Sequence, residues 1–491
     1  MSISDAEFKA WLAADNRVRA VLIEAVAYSG GVEVTRYLSN VPFVSRPSDT
    51  PANIAYEDAL LAVPAFNGRL NELFTGFTLP SYGDAEIINE SGVRDSWLDD
   101  AWDGRALTML VGDPSWPRND FRTVLVGVCA DIYAKDRATL ALKLRDKSWM
   151  LNVPAQAALM GGSTANADQP KPIAVGECFN VEPVLEDAAT HKYRVHDGAV
   201  EDITAVRDNG VAVAFTKDVA DGSFVLSATP AGRITADVKG AKPGGTYHTK
   251  VADIVQYLVT THSQLTASDI DAANFTAFNV TCPQPVHDYV RGRDNLITML
   301  DRIVSSVGGF WTFSRTGLLR LGRLEAPAGT PVVELLEDDV VEDGIEVASR
   351  AIPVDTLRLG YKRNFTQQPD GLAGAVTETD RAAYAAEYLV ATASNAGITT
   401  THKLASNPDL VPSQLTAAVD ADAEATRRAT LKGSIRKTFR VNCYMLPLSA
   451  NLGEVVKLTH PRFGFAAGAL AVLVGITERV TQNRCQLELW R

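Results

Sequence analysis

Two distant stretches of the chain are written in the same order. The first is GRALTMLVGDP, followed by VLVGVCADIYAKDRATLAL at 124–142; the second is GEVVKLTHP, followed by VLVGITERVTQNRCQLEL at 472–489. Each runs glycine, strand, proline-marked loop, VLVG, strand, short polar turn, arginine, two residues, L-x-L. Arg137 matches Arg484, and the two hairpin turns differ by one residue. The tetrapeptide alone means little, because unrelated hairpins share β-forming residues. The ordered set of strand, loop, strand, turn and strand is better evidence, and it points to duplication of a small β-barrel-like domain. Duplication also constrains assembly. Three subunits in a closed ring, each with two similar barrels, present six similar barrels around one axis.

A chain of 491 residues exceeds one ordinary core and predicts about three or four domains. Composition and punctuation divide it into an N-terminal barrel-like domain at 1–158, a small polar linker at 159–172 and a small β domain at 173–245. An α+β domain at 246–330 and a C-terminal domain at 331–491, with helices and a closing barrel-like unit, complete it. The fold class expected is mainly β with inserted helices (α+β) and multidomain, with two barrel-like domains related by duplication.

Local signals place the elements. Ser4 and Glu7 form a capping box for a helix through about Asn16. Ser29-Gly30-Gly31 reads as a hairpin turn, as does AKD between FRTVLVGVCADIY and RATLALKLRD. Val251, Ile254, Val255, Leu258 and Val259 recur at helical spacing, and so do Leu296, Met299, Leu300, Ile303 and Val307. Gly308 and Gly309 are expected to end the second of these helices, because glycine accepts the left-handed C-cap conformation. FWTFS and LLRLGRL then form a hairpin around Arg315-Thr316-Gly317, with Phe310, Trp311 and Phe313 as core or inter-subunit packing residues. Further helices are expected around DRAAYAAEYLVAT and SQLTAAVDADAEATRRATL. Closing strands are expected in IRKTFRVNCYML, GEVVKLT, ALAVLVGITERV and RCQLELW.

Composition narrows the function. Hydrophobic content of 46% with 22% charged residues is that of a soluble globular chain. No apolar run reaches the roughly 18 residues that span a bilayer. The acidic, amphipathic N-terminus lacks the basic flank of a secretory signal, so synthesis in a cytoplasm is expected. A net charge of −12 argues against tight, sequence-independent nucleic-acid binding, which needs clustered cations. Cys129, Cys178, Cys282, Cys443 and Cys485 are far apart in sequence and lack a CxxC pair, so buried, inert thiols are expected rather than a metal centre or a disulfide scaffold.

Candidate chemistry is sparse. His191, His196, His248, His262, His287, His402 and His460 form no HExxH motif, and no G-x-S-x-G elbow or G-x-G-x-x-G loop occurs. His287 and Asp288 are adjacent, so their side chains diverge and do not by themselves form a dyad. Asp95, Asp99, Asp100 and Asp103 could offer a carboxylate pair for glycan cleavage, although D-x-D-x-D-G calcium spacing is absent. Glu337, Asp338, Asp339, Glu342 and Asp343 form a similar run. A solvated acidic face is the favoured reading of both. No catalytic, cofactor-binding or metal-binding residue is assigned, and no cofactor is expected.

Three segments resemble the tail-tip and baseplate hub proteins of long-tailed bacteriophages and related gene-transfer particles. They are KPIAVGECFNVEPVLEDAATHKYRVHDGAVEDITAVRDNGVAV, the V-G-G-F-W to R-T-G-L-L-R-L-G hairpin, and GEVVKLTHPRFGF with VLVGITERV. The resemblance implies a non-enzymatic structural protein of the virion, at the tail tip, with tube-type barrels. It implies a homo-oligomer, most often a trimer. That ring would sit between a sixfold tail tube or distal-tail ring and a threefold central fibre or spike, alongside other tail-tip proteins. Phage DNA would pass through the ring without specific binding. Some relatives hold an iron–sulfur cluster or a fused hydrolase, which the scattered cysteines and missing hydrolase motifs argue against here. Two alternatives stand beside it: a hexameric distal-tail protein, and a carbohydrate-binding or glycan-cleaving β protein.

Overall fold

The computed structural model describes residues 3–14, 16–71, 75–78, 82–162, 164–444 and 450–491. The chain is mainly β, with seven α-helices among these residues. The capping box forms: Ser4 Oγ accepts from the Glu7 amide at 3.3 Å, and the Glu7 carboxylate accepts from the Ser4 amide at 2.8 Å. The helix it starts, Asp5–Ala13, ends short of Asn16 and buries Phe8, Trp11 and Leu12.

Ala20–Ser29 and Val32–Ser39 form the first hairpin. Gly30 and Gly31 both have positive φ, 58° and 91°, as the tight mirror-image turn requires. They enter a nine-stranded sheet with the order Phe43–Val44, Ala55–Asp58, Val32–Ser39, Ala20–Ser29, Ala106–Gly112, Arg122–Asp136, Thr139–Arg145, Asp84–Ile88, Leu60–Ala62. The turn expected at AKD falls later. Arg122–Asp136 continues as strand, and the Asp136 carboxylate accepts from the Ala138 amide at 2.8 Å, turning the chain at Arg137-Ala138.

The stretch expected as a spacer folds back on itself. The Met160 amide donates to Gln169 O and the Lys171 amide to Ala158 O, both at 2.8 Å. Two four-stranded sheets follow. They share a core of Cys178, Val181, Val195, Phe224 and Val238, among others.

Helices Val251–His262, Ala272–Thr281 and Leu296–Ser306 build a second core with the hairpin Gly309–Phe313/Leu319–Arg323. Gly308 ends the third helix at φ 70°. Gly309, by contrast, is the first residue of the strand. DRAAYAAEYLVAT is half helix, Glu378–Ala385, and half strand, Leu389–Ser394, because the latter pairs with Thr356–Tyr361. The last helix is Ala418–Lys432, shorter than expected at its start. The closing strands are Arg436–Cys443, Val455–Leu458, Ala469–Arg479 and Arg484–Trp490. Met445 and Leu446 of IRKTFRVNCYML lie outside the described residues.

Candidate functional site

The closing sheet repeats the strand order of the first. In the first sheet, five neighbours are Leu60–Ala62, Asp84–Ile88, Thr139–Arg145, Arg122–Asp136 and Ala106–Gly112, all antiparallel. In the second they are Val340–Ala351, Arg436–Cys443, Arg484–Trp490, Ala469–Arg479 and Val455–Leu458, again all antiparallel. Chain order matches as well. In both sets an insertion separates the first strand from the second, and the last three form a meander. The sets differ at one flank: Ala20–Ser29 is antiparallel to Ala106–Gly112, whereas Val333–Leu335 is parallel to Val455–Leu458.

The letters of the repeat do not align as the strands do. Gly475 lies opposite Glu488, but Gly127 lies past the Val128–Arg145 pair, near the start of its hairpin. Arg137 sits in the turn, and Arg484 is the first residue of its strand, opposite Arg479. Counted from the turns, Leu142 and Leu144 correspond to Leu487 and Leu489, and all four are fully buried. VLVG recurs by composition, and strand order recurs by fold.

The two sheets share one apolar core, and the first insertion interlocks them. Phe66–Arg69 leaves the first sheet and pairs with Ala469–Arg479, beyond the end of the shorter Val455–Leu458. Gly76–Phe77 adds a parallel strand to Gly309–Phe313. The 309–323 hairpin therefore reaches both sheets. Its turn residue Arg315 accepts from the Val126 amide of the first sheet at 2.6 Å. The Arg315 guanidinium forms a two-pronged ion pair with Glu478 of the second sheet and lies over the Phe66 ring at 4.8 Å.

Burial sets the electrostatics here. Glu478 is fully buried, and desolvation raises its carboxyl while Arg315 holds it down. Asp146 nearby is pushed up to about 7 by burial, although Ser148 hydrogen-bonds its charged form. Tyr82, which feels both Asp146 and Arg315, is raised well above its usual range by burial. Phe310, Trp311 and Phe313 are buried core residues, and the Trp311 indole donates to Asp301 at 2.7 Å. Sequence reasoning placed Arg315 in the turn but missed its partner. A usable signal existed: Glu478 shares the inward parity of buried Ile476, and a carboxylate on the apolar side of a strand demands a cation.

The other candidate groups stand apart. Asp95 accepts from Asn89 at 2.8 Å and Asp100 from Arg36 at 3.0 Å, while Asp99 and Asp103 are exposed. Asp339 caps the Leu336 amide at 2.8 Å beside Glu337 and Asp338; the side chains of Glu342 and Asp343 lie outside the described residues. His287 and Asp288 are fully buried with different partners. His287 Nδ1 donates to Glu177 O at 2.6 Å, and Arg302 donates to Asp288 at 2.8 Å. Burial holds His287 down at about 4 and pushes Asp288 up. Among the described residues, no three His, Cys, Asp or Glu side chains cluster as a metal site. No helix among them is long and apolar enough to cross a membrane.

Compared by sequence, the chain matches no protein family and no curated protein. Compared by structure, it is similar to a tail protein from Neisseria meningitidis MC58, at 11% identity and TM-score 0.42, covering 96% of this chain and 97% of that one. It is similar to the 43 kDa tail protein of prophage MuSo2 from Shewanella oneidensis, at 10% identity and TM-score 0.42, covering 96% and 98%. Prophage tail protein gp18 from Listeria monocytogenes EGD-e is also similar, at 7% identity and TM-score 0.42, covering 96% and 94%. Superpositions this loose leave the function to be argued from the chain itself.

Proposed function

We propose that this chain is a non-enzymatic structural protein of a phage-type tail, acting as the hub at the tail tip. In this reading it forms a trimeric ring between a sixfold tail tube or distal-tail ring and a threefold central fibre or spike. One observation carries the reading: the same five-strand arrangement occurs twice in one chain, in sheets that share a core. Three copies of such a chain offer six similar sheets to a sixfold partner while keeping threefold symmetry for the next one. The interlocking strand and the Arg315–Glu478 pair hold the sheets in one mutual arrangement, which a docking ring requires. The net charge of −12 suits a channel wall that DNA passes without adhering.

Copy number per particle tests this. Quantitative mass spectrometry of purified particles, referenced to the tail-tube subunit, is expected to find three copies. Six copies would indicate a hexameric distal-tail ring and leave the repeat without its role. Absence from the particle would overturn the tail reading altogether.

A further inference from the structure

Cys443 and Cys485, far apart in sequence, lie directly opposite each other on neighbouring antiparallel strands of the closing sheet. Both are buried free thiols facing the common core. Residues directly opposite in such a sheet have Cα atoms about 4.5–5.5 Å apart, inside the range of about 4.4–6.8 Å that a disulfide spans. Cys129, Cys178 and Cys282 sit on other elements: Arg122–Asp136, Glu177–Val181 and the end of the Ala272–Thr281 helix.

On the outward face of the closing sheet, Asn442, Thr477, Arg479, Arg484 and Gln486 line a surface cavity of about 490 Å³. Arg479 and Arg484 are exposed at its mouth. Side chains alternate along a strand, so these guanidiniums and the inward-facing thiol lie on opposite faces of the sheet. Burial raises the Cys485 thiol well above its usual range, so exchange is expected to be slow.

We propose that Cys443 and Cys485 are a redox-modification site, oxidised to a cross-strand disulfide by a low-molecular-weight disulfide such as glutathione disulfide. The Cys485 thiolate attacks one sulfur of the oxidant, forming a mixed disulfide and expelling one glutathione thiolate. Cys443 sulfur then attacks Cys485 sulfur and expels the second. The two cysteine protons end on the two glutathione thiols, so two protein thiols are oxidised and one small disulfide is reduced. The bond would join Arg436–Cys443 to Arg484–Trp490 and close a loop that contains Val455–Leu458 and Ala469–Arg479. Closing a loop of this length restricts the unfolded chain, so the oxidised sheet melts higher. The timing rests on the tail reading: a particle leaves the reducing cytoplasm for oxidising surroundings. The thiol chemistry does not depend on that reading.

The test uses the full chain, purified reduced and incubated with glutathione disulfide while the native fold is monitored. Thiol titration in denaturant is expected to lose two of the five thiols. Peptide mapping should join the Cys443 and Cys485 peptides with the loss of two hydrogens, and Tm should rise. The C443S variant, oxidised in the same way, should form no internal bond. Five free thiols in the folded, treated chain would overturn the proposal, as would a persistent glutathione adduct or a bond to another cysteine. Either result leaves the copy number per particle untouched, and absence from the particle would overturn the tail reading whatever the thiols do.

Discussion

Arg315 shows how one side chain can hold an architecture together. It emerges from a polar turn, yet it is buried, because Glu478 lies on the inward side of a strand and needs a cation. Removing one member of a buried pair leaves the other charged and unsolvated. Arg315→Ala is therefore expected to cost about 3–5 kcal/mol of unfolding free energy, measured by denaturant titration. Arg315→Met combined with Glu478→Met should cost less than either single change, because no charge is stranded. A double loss equal to the sum of the singles would show that the two do not interact. Asp146 gives a pH signature. Burial raises its carboxyl from 3.8 to about 7, so its contribution is fully present below the unfolded pKa and is lost as pH rises through about 7. Asp146→Asn does not titrate. Between about pH 5 and pH 8 the variant is expected to gain about 2–4 kcal/mol relative to the parent chain. Burial holds His196 and His287 at about 4; they act with opposite sign but cancel in this comparison. Equal pH slopes for the two proteins would refute the assignment.

Elements were legible where local chemistry decides them. The capping box, the Gly30-Gly31 turn and the apolar stripes of Val251–His262 and Leu296–Ser306 all form where period and caps place them. Elements were misread where a distant partner decides. Leu389–Ser394 continues a run of helix formers, but Thr356–Tyr361 claims it as a strand. Ala418–Lys432 keeps the predicted helix and shows why it carries small residues. Ala421, Ala425 and Ala429 are buried in the core shared with Leu357, Leu359 and Ala391 of the two-stranded sheet, where short side chains allow close approach. Arg428 on the same helix donates to Ser305 O and Ser306 O at 2.7 and 3.0 Å, satisfying the C-terminal carbonyls of Leu296–Ser306. That contact joins two helices whose sequences carry no sign of each other.

At the scale of the whole molecule, strands and side chains cross between the sheets. Phe66–Arg69 belongs to the closing sheet, Gly76–Phe77 to the central hairpin, and Arg315 to both sheets. A fragment of residues 331–491 alone would expose one side of Ala469–Arg479 and leave Glu478 buried without its cation. It is expected to lack a cooperative thermal transition and near-ultraviolet dichroism; a fragment melting like the full chain would show the interlock to be dispensable. The sequence by itself determined the mainly β class, the Ser4–Glu7 capping box, the Gly30-Gly31 turn, the amphipathic helices and the meander that occurs twice, because each depends on periodicity and on residues a few positions apart. Only the tertiary structure decided which strands of the insertions cross between sheets, that Arg315 meets Glu478, that Cys443 meets Cys485, and that the repeated letters VLVG are out of register while the strand orders agree. The physical reason is the same in each case. Pairing across a sheet depends on which edge is left unpaired and which buried charge is left uncompensated, and both are properties of the assembled chain rather than of any window along it.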